Sequence, residues 1–323
     1  MPVSHQRLKL FSPPVSFRQQ QGVALIVVLL IFALASLIAI QMSSRLQIDV
    51  QRTENLLALD KGAVYARSAE AYAMALLPDL LKNNPQARTL TQQDLPPYPV
   101  EEGVLKVAIE DLSGRFNLNW LRLGESNDAN SPYIAAFRRF LVALKVNDAE
   151  ALDLAVATAD WLDEDEETTG VAGAESQFYL SLTPPYRTGN QALKDVTELM
   201  LVRGMTPELF ARIKPFICAL PPESKLNLNT ASSAVLLSLG EKVNQDQISR
   251  LESERKTQAL EKKPSYLEID TASVGKNMVF SSDYFLMRIE ADILGRLTAL
   301  NSVVYLPQDS AKSRVLSRKQ TLF

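Results

Sequence analysis

An α+β fold is predicted: a long N-terminal helix that starts as a membrane span and continues as a spine, a small antiparallel sheet, and a large all-helical domain inserted into it. Three observations carry the prediction. An uncharged apolar run opens the chain, strand-like alternation brackets the middle, and the middle itself has helical spacing.

The opening run is "VALIVVLLIFALASLIAI", in which every residue from Val23 to Ile40 is apolar except Ser36. At about 1.5 Å per residue such a helix approaches the ~30 Å thickness of a bilayer's hydrocarbon core. The leader before it carries Arg7, Lys9 and Arg18 and no acid. That positive excess holds residues 1–22 on the cytoplasmic side and sends the bulk of the chain across. Three fates are open to the segment. A secretory signal would have a shorter apolar core and a small-x-small cleavage site, which "ASLIAIQM" matches poorly. An uncleaved span would be a bitopic anchor. A cut at Gly22 would leave Val23 as the new N-terminus, with the apolar helix retained.

After the span, Leu46, Val50, Leu57, Val64, Ala71 and Ala75 recur at spacings of four and seven. This predicts one helix from Val23 to about Leu77, closed by Pro78, with that apolar face packed partly on its own domain and partly on neighbouring helices. "NNPQARTLTQQDLPPYPVEEG" reads as a Pro-rich connection and "VLKVAIEDLSG" as a strand. Near the far end "YFLMRIEADILGRLTALNSVVYLP" predicts a hairpin turning at Gly295. From about Ser131 to Leu260 six segments read as helices, among them "YIAAFRRFLVALKV", "AEALDLAVATADWL" and "NQDQISRLESERK". The final "QDSAKSRVLSRKQTLF" is basic and polar and is expected to be a frayed tail. The expected division is a leader (1–22), the span and spine (23–82), the first part of the sheet domain (83–125), the helical insertion (126–263), and the closing strands with the tail (264–323).

Composition narrows the function. A formal charge of -3 over 323 residues disfavours a surface built for nucleic acid or anionic lipid. The single Cys218 forms no internal disulfide and sits in the apolar "PFICALP". The single His5 lies in the leader, so a processed chain has no histidine for acid/base catalysis, a nucleophile triad or the usual zinc sites.

Two segments echo one another. "SGRFNLNWLRLG" and "ESKLNLNTASSAVLLSLG" both place Asn-Leu-Asn after a basic residue and before a leucine-rich run. The second is similar to the helix-hairpin-helix modules that offer backbone amides to DNA phosphates. Its flanks are mixed in charge and the domain is exported, which favours structural use over DNA binding.

One constellation suggests chemistry. In "DWLDEDEETTGVAGAE", Asp160, Asp163, Glu164, Asp165, Glu166, Glu167 and Glu175 fall within sixteen residues, and no Lys or Arg follows until Arg187. Crowded carboxylates repel, and a hard divalent cation removes that cost. The alternation of Asp163 and Asp165 is that of a calcium loop, although the glycine and terminal Glu of an EF-hand are missing. A solvated acidic turn is the alternative. A hydrolase acid pair would need two carboxyls held across a cleft, and neither a phosphate cradle nor a dinucleotide fingerprint is present.

The basic leader, Gly22 and the unbroken apolar helix together resemble a type IV prepilin signal. Most subunits of that class have Glu at the fifth mature position, where it pairs with a neighbour's terminal ammonium; here that position is Val27. With the ordered blocks "DWLDEDEE", "GAE", "PPYRTGN", "VTELMLVRGMTPELFARIKPFICALP" and "KLNLNTAS", the chain resembles the type II secretion system protein K family over nearly its whole length. The resemblance implies a pilin-like sheet domain and no enzymatic activity. It implies a minor pseudopilin that joins pseudopilins I and J at the tip of a periplasmic pseudopilus, starting and capping it. It also implies processing by prepilin peptidase between Gly22 and Val23 with N-methylation, a single inner-membrane pass, contact with the inner-membrane secretion assembly, and no nucleic-acid partner. Val27 becomes the determinant of position in the filament. Structural calcium is implied in the helical insertion, with Asp163, Asp165 and Glu175 as ligands and Asp160 and Glu198 as further candidates. The rival reading is a bitopic protein with a periplasmic DNA-binding domain.

Overall fold

The computed structural model describes residues 21–83, 89–90, 92–125, 128–270, 272, 274–276, 278–307 and 312–322. Leader residues 1–20 lie outside them. The chain separates into two units, Met1–Leu57 and Ala58–Phe323.

Helix α1 (Gln21–Asn83) begins in the first unit. It is long and apolar enough to cross a membrane, and its apolar side chains from Val23 to Ile40 are exposed. Ala58, Gly62, Ala66, Glu70, Ala73, Leu77 and Leu81 of the same helix form the buried face of the second unit. This corrects the predicted stripe, because Leu57, Val64, Ala71 and Ala75 are exposed. At the start of this face small residues decide the contact: a Cβ on Gly62 would meet the Thr298 side chain at 2.7 Å, so the close approach there needs a residue without side-chain bulk. Pro78 does not close the helix, which continues to Asn83. Leu77 and Leu81, both buried, hold the last turns against the sheet despite the N–H that proline lacks.

Beyond α1 come β1 (Gln92–Asp94), β2 (Tyr98–Val100) and β3 (Gly103–Asp111), two of them inside the segment expected to be a plain connection. The chain then leaves the sheet. β4 (Phe116–Asn117) leads through a 3-10 turn into α2 (Pro132–Ala143) and α3 (Asp148–Leu162). Next are α4 (Ser176–Leu180), a 3-10 turn at Val196–Leu201, α5 (Pro207–Ile213) and β5 (Ile217–Cys218). β6 (Leu226–Asn227), α6 (Ser233–Leu237), α7 (Gln245–Thr257) and β7 (Met278–Val279) complete the excursion. The chain returns as β8 (Tyr284–Ile293), β9 (Arg296–Tyr305) and β10 (Arg314–Leu322).

The sheet runs β1-β3-β8-β9-β10, with β2 also on β3, and its ladders are antiparallel. Asp111 pairs with Phe285, so the strands that bound the whole excursion are direct neighbours. The β8–β9 hairpin turns at Leu294-Gly295, both at positive φ, as a two-residue turn between right-twisted strands requires. The expected frayed tail is instead β10, registered on β9 from Arg314 opposite Tyr305 to Leu322 opposite Thr298. Its charge misled: the polar pattern belongs to a sheet edge, where cations discourage unwanted pairing. Arg318 reaches from β10 to the buried Glu70 of α1 at 2.7 Å.

Two cores result. Phe285, Met287, Ile289 and Leu300 pack against the buried face of α1. The helical core draws on residues from Phe116 to Val274, wider than the expected 126–263, around the rings of Phe116 and Phe137, each stacked on Phe140. Each fully buried side chain of this size contributes about 1.5–3 kcal/mol.

The two Asn-Leu-Asn segments are structural equivalents. Each enters on a short parallel pair, β4 with β5 and β6 with β7. The Asn119 amide bonds both the N–H and the C=O of Leu193, and the Asn229 amide does the same for Leu260. Asn117 accepts from Leu220 N and Asn119 N and donates to Leu220 O. These buried side chains are spent on internal cross-links, not on a surface hairpin for phosphate.

Candidate metal centre

The acidic loop begins where α3 ends. Asn147 caps that helix by accepting from Ala149 N at 3.0 Å, and Asp148 and Glu150 in its first turn suit the positive end of the helix dipole. The apolar residues of α3 fix its rotation in the core, and Asp160 is carried inward with them, fully buried. Asp163 is the residue at which the helix stops, its N–H bonded to Ala159 O at 3.0 Å. The loop then turns through Gly170 and Gly173 to Glu175, which precedes α4 and makes no capping bond with its side chain.

This path brings together three of the expected residues. Carboxylate oxygens of Asp160, Asp163 and Glu175 lie within 4.8 Å of one another. Asp160 is held by backbone donors: Ala174 N at 2.8 Å and Thr169 N at 3.2 Å. Gly173 has to be glycine, since a Cβ there would run into the Asp160 carboxylate. Asp163 Oδ1 and both carboxylate oxygens of Glu175 are buried without a hydrogen-bond partner. Burial raises the Asp163 carboxyl to about 7, reinforced by Asp165 and Asp160 and opposed by Arg122. Burial likewise raises Glu175 to about 8, with Asp160 and Asp163 adding to the effect. The Asp160 carboxyl is also raised by burial, against the pull of its backbone donors.

Unpartnered buried carboxylate oxygens cost free energy unless a proton or a cation satisfies them. The donors here are all oxygens, with no histidine or thiol, a set that fits a hard cation of the calcium class and not zinc.

The other expected ligands stand differently. Asp165 is close enough to raise both Asp163 and Glu175, but it lies outside the converging group and accepts from Glu167 N at 2.8 Å. Glu198 is a correction: it accepts from Lys194 N and Asp195 N, closing a capping box on the 3-10 turn, and is no part of the group. Its place in the sequence, three residues after Asp195, is that of such a box.

Three supporting residues escape a reading confined to the acidic run. Arg122, in the 3-10 turn that follows β4, pairs with Glu164 at 2.8 Å. Arg203 stacks over Phe178 and donates to Gly173 O at 3.2 Å. Asn190, at positive φ, donates its side-chain amide to Asp165 O and to Glu166 Oε1, both at 3.2 Å. Of the three, only Asn190 has a local sequence signal that could have found it, the Gly-Asn turn pair in "PPYRTGN".

Of the N-terminal residues, Gly22 lies in the first turn of α1, followed by Val23, and Val27 is an exposed apolar residue on the helix.

Comparison with known proteins agrees with this architecture. The family profile described as type II secretion system protein K matches residues 114–222. The type II secretion system protein K of Aeromonas hydrophila is 37% identical, covering 91% of this chain and 96% of the relative. That of Pseudomonas aeruginosa is 31% identical, covering 93% of each. In fold, the chain is similar to one in the crystal structure of the GspK-GspI-GspJ complex from the enterotoxigenic Escherichia coli type 2 secretion system. The TM-score is 0.67 at 22% identity, over 84% of this chain and 99% of that one. A helix-and-sheet scaffold with an apolar N-terminal helix, a helical insertion bracketed by paired strands, and identity above thirty per cent over more than nine-tenths of the chain converge: the chain belongs to the type II secretion system protein K family.

Proposed function

We propose that this protein is a minor pseudopilin that assembles with minor pseudopilins I and J at the tip of the periplasmic pseudopilus, starting the filament and capping it. The observation that carries the reading is the insertion itself. Neighbouring strands β3 and β8 are interrupted by a helical body with its own core, on a sheet packed against a helix that starts as a membrane span. Val27 supports a terminal place, because a chain without the buried carboxylate of its class offers no partner to a neighbour's ammonium. The segment around Gly22 and Val23 is the cut for prepilin peptidase, with N-methylation at Val23. The leader stays cytoplasmic, α1 is held in the inner membrane beside the secretion assembly, and the sheet and insertion lie in the periplasm.

The insertion is held by calcium, with Asp160, Asp163 and Glu175 as ligands and Asp165 adding negative charge. The partnerless oxygens of Asp163 and Glu175 support this. Convergence of the carboxylates into one pocket suits an ion and argues against an acid/base pair, so the protein acts by association and not by catalysis.

Co-expression with the other two minor pseudopilins tests the assembly. A complex of all three that survives size exclusion and native mass spectrometry is expected. Failure of this chain to co-elute with either would overturn the reading.

A further inference from the structure

The sheet face opposite α1 is not fully covered. Leu286 and Arg288 of β8, Asn301 and Val303 of β9, and Lys319 and Thr321 of β10 floor a cleft of about 440 Å³. Its wall is the insertion: Lys194, the start of the 3-10 turn at Val196, Lys214 and Ile217. The inner end is apolar, where Leu112, Cys218 and Leu220 seat the insertion on Tyr284, Leu286 and Val303. The lining also carries cations.

The charge around this cleft is opposite in sign to that of the chain. Acids outnumber bases 37 to 34 overall, yet the cleft is lined by five cations and by the acids Asp195 and Glu290 alone. Glu110 answers Arg115 and Arg288 from beside the floor, and Asp195 answers Lys319 across it at 3.3 Å. Lys194 and Lys214 are exposed and form no ion pair among the described residues. The edge strand β10 borders the cleft, and its outer side is paired with no strand among the described residues.

We propose that this cleft receives an acidic, extended segment of a partner protein. The segment's carboxylates meet Lys194 and Lys214, while an apolar side chain packs beside Leu286 and Val303. The mixed lining selects protein over nucleic acid, since a phosphate backbone would leave the apolar end unfilled. A second copy of β10 is disfavoured, because Arg314, Arg318 and Lys319 would face their own kind. The proposal stands apart from the calcium reading, as no ligand carboxylate lines the cleft.

The test uses the full chain in detergent micelles and a fluorescent peptide of about ten residues in which Glu alternates with Leu or Ser, at an ionic strength of ~0.15 M. Saturable binding is expected, weakened about tenfold or more by Lys194→Glu with Lys214→Glu and within about twofold of wild type for the control pair Lys256→Glu with Lys262→Glu. The matching Lys-for-Glu peptide should not bind. Unchanged melting of both variants shows that the fold persists. Equal weakening by the two variants, displacement of the peptide by a short single-stranded DNA, or no saturable binding would each overturn the proposal.

Discussion

Asp163 and Glu175, twelve positions apart on either side of the acidic loop, bring carboxylate oxygens within 4.8 Å of one another, and Asp163 Oδ1 and both Glu175 oxygens lack a hydrogen-bond partner. Three buried carboxylate oxygens without a donor are tolerated at neutral pH only if a proton or a cation satisfies them.

Calcium should therefore stabilise the protein and chelator should remove the gain. At a calcium concentration of about a hundred times the dissociation constant, linkage supplies ~2.7 kcal/mol, which for a domain of this size raises the melting temperature by about 5–10 °C. Asp163→Ala with Asp165→Ala should melt at the same temperature with calcium or chelator. A wild-type protein insensitive to chelator would remove the metal.

The pH dependence should change sign with calcium. Folded Asp163 and Glu175 titrate at about 7 and about 8, above their ordinary values of 3.8 and 4.5. Without metal, the folded chain keeps protons that the unfolded chain has lost. The two groups contribute no difference below about pH 4, stability falls as pH rises, and the loss is complete above about pH 8. In calcium the deprotonated form is the one that binds, so stability should rise over the same range. Thermal melts in chelator and in calcium across this window check both slopes.

Gly173→Ala should act on the site from a residue that carries no charge. Its Cβ would press on the Asp160 carboxylate and on the Thr169 backbone. We expect a cost of about 1–3 kcal/mol and calcium affinity lowered by about tenfold, read by calorimetric titration. Gly170, with open space around it, serves as the control through its positive φ alone.

Asn117→Ala should destabilise the insertion more than an ordinary surface change. It strands the buried N–H groups of Leu220 and Asn119, at about 1–3 kcal/mol for each unsatisfied group. Chemical denaturation gives the number; a loss below about 0.5 kcal/mol would contradict the cross-link.

What the sequence disclosed follows from how local the signal was. The α1 helix, β3 and the hairpin at Gly295 were legible because hydrophobic period and turn chemistry lie within a few residues. The buried face of α1 was not: large apolar residues pointed to Val64, whereas Gly62 and Ala66 make the contact because they are small. β10 was hidden by charges that suit an edge. At the site, the crowding of acids announced itself, but which of them converge depended on the rotation of α3 and on where Gly173 turns the loop. Glu198 came to the metal through the family resemblance alone, and its spacing from Asp195 puts it in a cap.

The most direct test of the pseudopilin account is the intact mass and N-terminal sequence of the full chain expressed with prepilin peptidase. The account predicts a product beginning at Val23, carrying an N-methyl group, with α1 retained. A chain that keeps Met1, or one cleaved beyond Ile40 so that the apolar segment is lost, would contradict it.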